Sequence, residues 1–333
     1  MKKYHVYGIG AALVDTEIQV QDSELKQMGV EKGLMTLVDE ARQQALLDSL
    51  EGHLVHSRQA SGGSACNSVV AAAYFGASGY YSCKVANDAH GDFFLQDIRA
   101  AGVDSNFDLN RDPGTTGKCL VLISPDAERS MNTHLGISAE LSIKELNESA
   151  LADSEYYYME GYLVTSDSGR TAAIRGREVA EQNGVKTALS FSDPGMVEFF
   201  RDGLSDMLGG GVDLLFCNEA EALQWAGSNS LHEAVTAIKE VAKQFAITLG
   251  AKGALVYDGE QLHEIAPHRV SAVDTNGAGD MFAGAFLYAI SHGRSHAEAG
   301  KLASRAAAEV VSHYGPRLPG PLHAELRREI LGA

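Results

Sequence analysis

Basic residues are scarce in this chain: 27 Lys and Arg stand against 44 Asp and Glu, a formal charge of −17 over 333 residues. That balance disfavours nucleic acid as a partner, because a phosphate backbone is held by Lys and Arg. A small nucleotide is still admissible, since a few amides, one cation and Mg²⁺ can handle its charge. Cysteine is rare as well. Cys66, Cys83, Cys119 and Cys217 lie far apart, with no Cys-x-x-Cys pair and no His at ligand spacing. Zinc and a disulfide framework are therefore not expected, and a reducing cytoplasm fits. No apolar run approaches the roughly 20 residues of a membrane helix. Lys2 and Lys3 precede an apolar stretch, but Tyr4, His5 and Tyr7 interrupt it and Asp15 ends it, unlike a signal peptide. The chain reads as soluble and cytoplasmic, with no membrane partner. A Gly-x₄-Gly-Lys-Ser/Thr string is missing too, which removes the P-loop route to phosphate chemistry. Gly8-Ile9-Gly10 begins like a dinucleotide fingerprint, yet Leu13 stands where a third Gly or Ala belongs and strand rather than helix follows.

What is present is ordinary globular composition, 45% hydrophobic and 21% charged, on a chain long enough to bury a substantial core. Apolar strand-like runs at Tyr4–Gly10, Tyr80–Val85, Glu155–Met159, Thr187–Phe191, Val212–Cys217 and Ala246–Leu249 alternate with helical ones. The helices are expected at Ser64–Phe75, Gly91–Ala101, Ser168–Asn183, Asn218–Ala226, Leu231–Gln244, Ala278–His292 and Ser295–His313. Such alternation predicts an α/β fold, a mostly parallel sheet with helices on both faces. Thr16–Asp22 and Lys118–Thr133 instead alternate with period two, which suggests antiparallel strands outside the main sheet. We expect one domain over residues 1–333, with a small discontinuous β lid drawn from segments about 14–37 and 104–134.

Asp274-Thr275-Asn276-Gly277-Ala278-Gly279-Asp280 carries the most chemistry. Its glycines let backbone amides crowd together, and the helix that follows aims unpaired N–H groups and its positive dipole end at the loop. Phosphate is the expected guest. Asp280 sets a carboxylate beside that anion hole, where it would repel the ligand unless it serves an incoming hydroxyl as base. The helix dipole is expected to hold its pKa low, making it a weak base. A loose transition state tolerates that, because the proton moves late. The bland alternative is an Asp that merely stabilises a helix end. Asp15, after the first strand, is a turn-former or a ligand for hydroxyls. Gly62-Gly63-Ser64-Ala65-Cys66-Asn67 is a helix cap with Ser64 capping, or a donor and acceptor set for a diol.

Gly-Gly-x-x-x-Asn at 62–67 with the loop at 274–280 resembles the paired signatures of the ribokinase family, the phosphofructokinase-B carbohydrate kinases. The chain is most similar to the adenosine kinases of that family, from about Tyr7 to about Pro319. The resemblance is carried by Gly-Ile-Gly-x-x-Leu-Val-Asp at 8–15, Thr-Gly-x-Cys at 116–119, Glu-Arg-Ser-Met-Asn at 128–132 and the run Asp213–Ala222. It implies a ribokinase-like fold and an ATP-dependent kinase acting on the primary hydroxyl of a ribonucleoside, adenosine or a related purine nucleoside. Asp15, the Gly63 amide and Asn67 would hold ribose hydroxyls, Ser64 would lie near the base and Tyr162 could pack on it. Arg129 would swing in with the lid, and Gly277, Ala278 and Gly279 would carry the γ-phosphate under Asp280. Asn218 and Glu221 match Asn-x-x-Glu, which positions Mg²⁺ and phosphate largely through water; read alone, Asn218 is an N-cap and Glu221 is solvated. Thr248, Gly250 and Gly253 match Thr-x-Gly-x-x-Gly lining the ATP site, which Asn276 joins. ATP and Mg²⁺ are the implied cofactors, with a monovalent cation and the choice of monomer or homodimer left open. Ala11 departs from the pattern, where adenosine kinases typically place an Asn that helps read the base. A free sugar such as ribose or a ketohexose is the rival acceptor, and a non-catalytic sugar or nucleotide sensor is the rival class.

Overall fold

Strand Tyr4–Ile9 (β1) buries Val6, Tyr7 and Ile9 completely, so both of its faces meet protein. A strand with that profile belongs in the middle of a parallel sheet clad on two sides. The computed structural model describes residues 2–50, 60–107 and 109–332. In chain order the further strands are Leu13–Gln19 (β2), Met35–Leu37 (β3), Ala60–Gly62 (β4), Gly79–Ser82 (β5), Val103–Ser105 (β6), Gly117–Ile123 (β7) and Arg129–His134 (β8). They continue with Ser154–Glu160 (β9), Lys186–Ser190 (β10), Val212–Asn218 (β11), Ala242–Thr248 (β12), Ala254–Tyr257 (β13) and Leu262–Ile265 (β14). Nine of them form one sheet in the order β14-β13-β12-β11-β10-β9-β1-β5-β6. The order steps outward in both directions from β1, and β5, β6 and β9 to β12 run parallel to their neighbours. Only β13 and β14 turn back, as an antiparallel edge.

Helices cover both faces. On one, Ser64–Phe75, Ala278–Ser291 and His296–Val310 pack Val69, Phe75, Phe286 and Leu302 against Val6 and Tyr158. On the other, Asp167–Gln182, Arg201–Leu208 and Leu231–Lys239 pack Ala172, Leu204 and Ile238 against Tyr7, Leu189 and Phe245. Each fully buried Leu, Ile or Phe contributes about 1.5–3 kcal/mol.

The small sheet has the order β3-β8-β7-β2-β4. Two expectations change here. The β2–β7 and β3–β8 pairs are parallel, where antiparallel strands were expected; only β7–β8 and β2–β4 are antiparallel. The reason is connectivity: β2 meets β7 only after the chain has left for the large sheet and returned, so no hairpin dictates direction. Residue 108 of the expected lid segment lies outside the described residues. The expected helix Leu231–Gln244 stops at Lys239, and β12 begins at Ala242. No Gly, Pro, Asn or Asp separates the two, so the apolar pattern runs through the junction unbroken. The β13–β14 hairpin, with its Asp258-Gly259 turn, and the helix Gly320–Leu331 lie outside the expected elements.

Gly284 lets the helix Ala278–Ser291 approach Ser64–Phe75: a Cβ there would sit 2.4 Å from the Ser68 carbonyl oxygen and 2.7 Å from Ala71 Cβ. Gly284→Ala gains about 1 kcal/mol of helix propensity. Backbone displacement should outweigh that gain and leave a net loss of about 1–3 kcal/mol. Thermal denaturation reads this directly, and an unchanged or raised melting temperature would show that the contact is loose.

Candidate active site

The chain crosses the carboxyl ends of β1, β9, β10, β11 and β12 on one brim of the large sheet, the usual ligand position in open α/β folds. Between this brim and the small sheet lies a cavity of about 330 Å³. It is lined by Asp15, Gly63, Ser64, Asn67, Arg129, Tyr162, Asn218, Glu221, Thr248, Gly250, Asn276 and Gly277 through Asp280. These are residues from the whole length of the chain. Of the residues given an individual site role from the sequence, Gly253 alone is absent from the lining. A Cβ there would lie 2.0 Å from the Ile265 carbonyl oxygen, and its φ is +97°, so this glycine lets the turn pass under β14.

Gly277 (φ +74°) caps the helix Ala278–Ser291 and packs against Pro316, whose carbonyl oxygen would be 2.4 Å from any Cβ. The Ala278 amide closes a turn onto the Thr275 carbonyl at 3.3 Å, so it is not fully available to a ligand. Among the described residues no backbone carbonyl takes the amides of Gly277, Gly279 or Asp280. These three N–H groups stand unpaired at the positive end of a 14-residue helix, an arrangement suited to an anion.

Asp280 is surrounded by protein but partly open to the cavity. Ser64 Oγ donates to its Oδ1 at 2.7 Å and Asn67 Nδ2 to its Oδ2 at 3.1 Å. Ser64, expected beside the base, thus serves the carboxylate, and Gly63 rather than Ser64 occupies the cap position. The expected low pKa is also corrected. Burial pushes the Asp280 carboxyl up, outweighing the hydrogen bonds from Ser64 and Asn67 and the charges of Arg129 and Arg317. A carboxylate with a raised pKa is the stronger proton acceptor.

Asp15 projects from β2 into the space left by Gly62, where a Cβ would lie 2.1 Å from Asp15 Oδ1. A side chain at position 62 would push the carboxylate off that point. Burial pushes Asp15 up to about 7, and Asp280 adds to the rise while Arg317 and Arg129 oppose it.

The sequence profile of the pfkB family carbohydrate kinases matches residues 35–322. The chain belongs to that family. It is 27% identical to the adenosine kinase of Schizophyllum commune over 96% of this chain and 98% of that protein. It is 23% identical to the ribokinase of Staphylococcus aureus (strain COL) over 83% of this chain and 91% of that one. The adenosine kinase structure from Sinorhizobium meliloti superposes with a TM-score of 0.92 at 33% identity, covering 98% of this chain and 99% of that one. A probable sugar kinase from Rhizobium etli CFN 42 gives 0.93 at 32% identity, covering 99% of each. The molecule is thus an ATP-dependent nucleoside or sugar kinase with the ribokinase-like fold. No helix of the described residues is long and apolar enough to cross a membrane.

In this pfkB-family chain Asn218 is an N-cap and a cavity residue at once. Its Oδ1 accepts from the Glu221 amide at 2.8 Å, while Glu221 accepts from the Asn218 amide at 3.0 Å and from Asn218 Nδ2 at 2.6 Å. Glu221 is buried rather than solvated, and burial raises its pKa to about 7, with Asp193 adding to the rise. Among the described residues no group of three or more His, Cys, Asp or Glu could hold a metal ion by itself. One or two carboxylates facing a phosphate site are the donor set that suits Mg²⁺, which keeps most of its water and binds phosphate oxygens. Arg129 opens β8 and donates to Met131 Sδ at 3.1 Å. Burial would lower its pKa, but Tyr162, Asp280, Asp193 and Glu128 together raise it.

Three residues escaped the sequence reading. Glu160 ends β9, fully buried, and accepts from the amides of Ala11 at 2.7 Å and Ala65 at 2.9 Å. A carboxylate at the end of an otherwise apolar strand was its visible signal. Glu17, on the small sheet, accepts from Asn276 Nδ2 at 3.3 Å. Its position in a period-two strand disguised it as a solvent-facing residue. Arg317 donates to Asn67 Oδ1 at 2.9 Å from a segment with no motif at all.

Asp15, Glu160 and Glu221 are pushed up to about 7 and Glu17 to about 8, each chiefly by burial. Each binds its proton more tightly folded than unfolded, where carboxyls titrate near 4. Their protonation therefore stabilises the fold fully at roughly pH 4 and below, and that contribution is lost as pH rises through about 7 to about 8. The melting temperature of the ligand-free protein should fall across that window, and Glu17→Gln should flatten the fall. A melting temperature that climbs steadily over the same range would contradict the assignment.

Proposed function

We propose that this kinase transfers the γ-phosphoryl group of ATP to the primary, 5′-type hydroxyl of a purine ribonucleoside, with adenosine the favoured acceptor. The observation that carries this reading is the meeting of Asp280 with three free amides in a cavity that also holds Asp15. The small-sheet side of the cavity supports a nucleoside over a free sugar. Leu13, Met35, Leu37, Val121, Met131 and Leu135 line it, with Tyr162 nearby. A flat base would cover that apolar wall, whereas a sugar alone would leave hydroxyls facing it without partners. Ribose or a ketohexose remains the second reading, on one observation. Ala11 offers no side-chain donor to a base, and its amide is already taken by Glu160.

In this reading the hydroxyl oxygen attacks phosphorus while ADP departs, and its proton passes to Asp280. Ser64 and Asn67 fix the carboxylate, Asp15 orients the sugar hydroxyls, and the Gly277 and Gly279 amides hold the phosphoryl oxygens as charge develops. Arg129, brought by the small sheet, neutralises the transferring group and helps exclude water. Mg²⁺, held near Glu221 and Asn218 largely through water, would offset phosphate charge.

Asp280→Ala should lower kcat by about 10²–10⁴-fold while ATP affinity by calorimetry persists. Near-normal turnover would remove Asp280 from its role. Asp15→Ala should act mainly on the acceptor KM; a KM unchanged for every accepted nucleoside and sugar would place Asp15 outside the site. ADP release measured with adenosine, inosine, guanosine, cytidine, ribose and fructose separates the two acceptor readings. Highest kcat/KM with ribose or fructose would overturn the nucleoside assignment.

A further inference from the structure

Arg317 lies between the helices His296–Val310 and Gly320–Leu331. Its guanidinium donates in several directions at once. Nε meets Asn67 Oδ1 at 2.9 Å, Nη1 meets Ser61 Oγ at 2.9 Å and Asp97 Oδ2 at 3.0 Å, and Nη2 meets Cys66 Sγ at 3.4 Å. Asp97 also takes the Ser61 hydroxyl at 2.5 Å and the Ser61 amide at 3.1 Å. The group is therefore held from β4, from the helix Ser64–Phe75 and from the helix Ala89–Ala100.

A side-chain amide carries an acceptor on one arm and donors on the other, and half a turn exchanges them. Arginine is always charged and accepts nothing, so it can face only the oxygen arm of Asn67. That leaves the Nδ2 arm for Asp280 Oδ2, 3.1 Å away. The reversed amide would set a carbonyl oxygen against the carboxylate. We propose that Arg317 is a positioning residue for phosphoryl transfer: it locks the Asn67 amide with its donors towards Asp280 and so aims the base at the acceptor hydroxyl. This inference rests on Asp280 being the base.

The charged and titratable groups around Asp280 are Asp15 from β2, Arg129 from β8, Tyr158 and Glu160 from β9, Tyr162 beyond it, and Arg317. Arg129 and Arg317 both favour the ionised Asp280 carboxylate. Losing Arg317 thus removes an orientation and a charge together, and the two effects can be separated. The full-length chain with Arg317→Met or Arg317→Lys is assayed for ADP release across pH, alongside thermal denaturation. Arg317→Met should lower kcat about 10- to 100-fold, leave the KM for ATP near wild type and move the acid limb of kcat to higher pH. Arg317→Lys keeps a charge but not the fork, so the acid limb should stay while kcat recovers only in part. Loss of melting temperature with kcat and the acid limb unmoved would reduce Arg317 to a packing residue and overturn the proposal.

A second readout needs no turnover. In protein labelled with ¹⁵N at asparagine, the Asn67 side-chain resonance, identified by its loss in Asn67→Ala, should titrate with Asp280. In Arg317→Met that titration should vanish; its persistence would overturn the proposal. Were the wild type to release no ADP with any acceptor, the assignment of Asp280 as base would fall, and the resonance would still decide whether Arg317 sets the amide.

Discussion

The site depends on a carboxylate being tolerated beside the unpaired amides of a helix amino end. Asp280 sits in the first turn of that helix, and a phosphate on its amides would draw on the same local field as the carboxylate. What keeps the arrangement stable is a second helix. Ser64 and Asn67, from the first turn of Ser64–Phe75, satisfy both Asp280 oxygens, and Gly284 lets the two helices come close enough to do so. The helix pair is at once core and cavity floor. Its apolar faces bury Val69, Phe75, Met281 and Phe286, while its amino ends bring Ser64 and Asn67 onto Asp280.

The small sheet is tied to that floor rather than merely placed over it. Glu17 of β2 takes the Asn276 side chain, and the carbonyl of Ala127, in the β7–β8 turn, receives both the hydroxyl and the amide of Thr275. Gln19 also bonds to Tyr314, beyond the helix His296–Val310. Thr275 and Asn276, next to the unpaired Gly277 and Gly279 amides, are therefore held from the small sheet.

Much of this was legible in the sequence because the chemistry is local there. The loop at 274–280 and the helix it opens, and the Gly62-Gly63 pair with Asn67, are each compact in the chain, so residue type and spacing mark them as the segments that meet at the cavity. Six of the parallel strands were visible as apolar runs, since burial on both faces leaves that mark. The rest depends on contacts that spacing cannot encode. β2 and β7 align parallel only because the chain passes through the large sheet between them. Arg317 reaches Asn67 across 250 positions, and Glu160 reaches the Ala11 amide across 149. The direction of the Asp280 shift was misjudged for a related reason. A helix dipole can be read from sequence, but the burial that outweighs it is a property of the assembled cavity.

The charge inventory of the cavity favours main-chain nitrogens over lysines as the groups that would hold phosphate in the proposed transfer. Arg129 is the single Lys or Arg among the described lining residues, against Asp15, Glu128, Glu160, Glu221 and Asp280. With all of these ionised, a triphosphate would meet strong repulsion in a poorly screened space. Burial moderates this by pushing Asp15, Glu160 and Glu221 upward, which favours their neutral forms. Amides add attraction without adding a mobile charge, and a fixed dipole needs no reorganisation when the transferring group changes shape. A lysine in the same place would pair with one of these acids and be lost to the phosphate. The scarcity of cations in the sequence and the glycines at that helix amino end are thus two sides of one electrostatic solution.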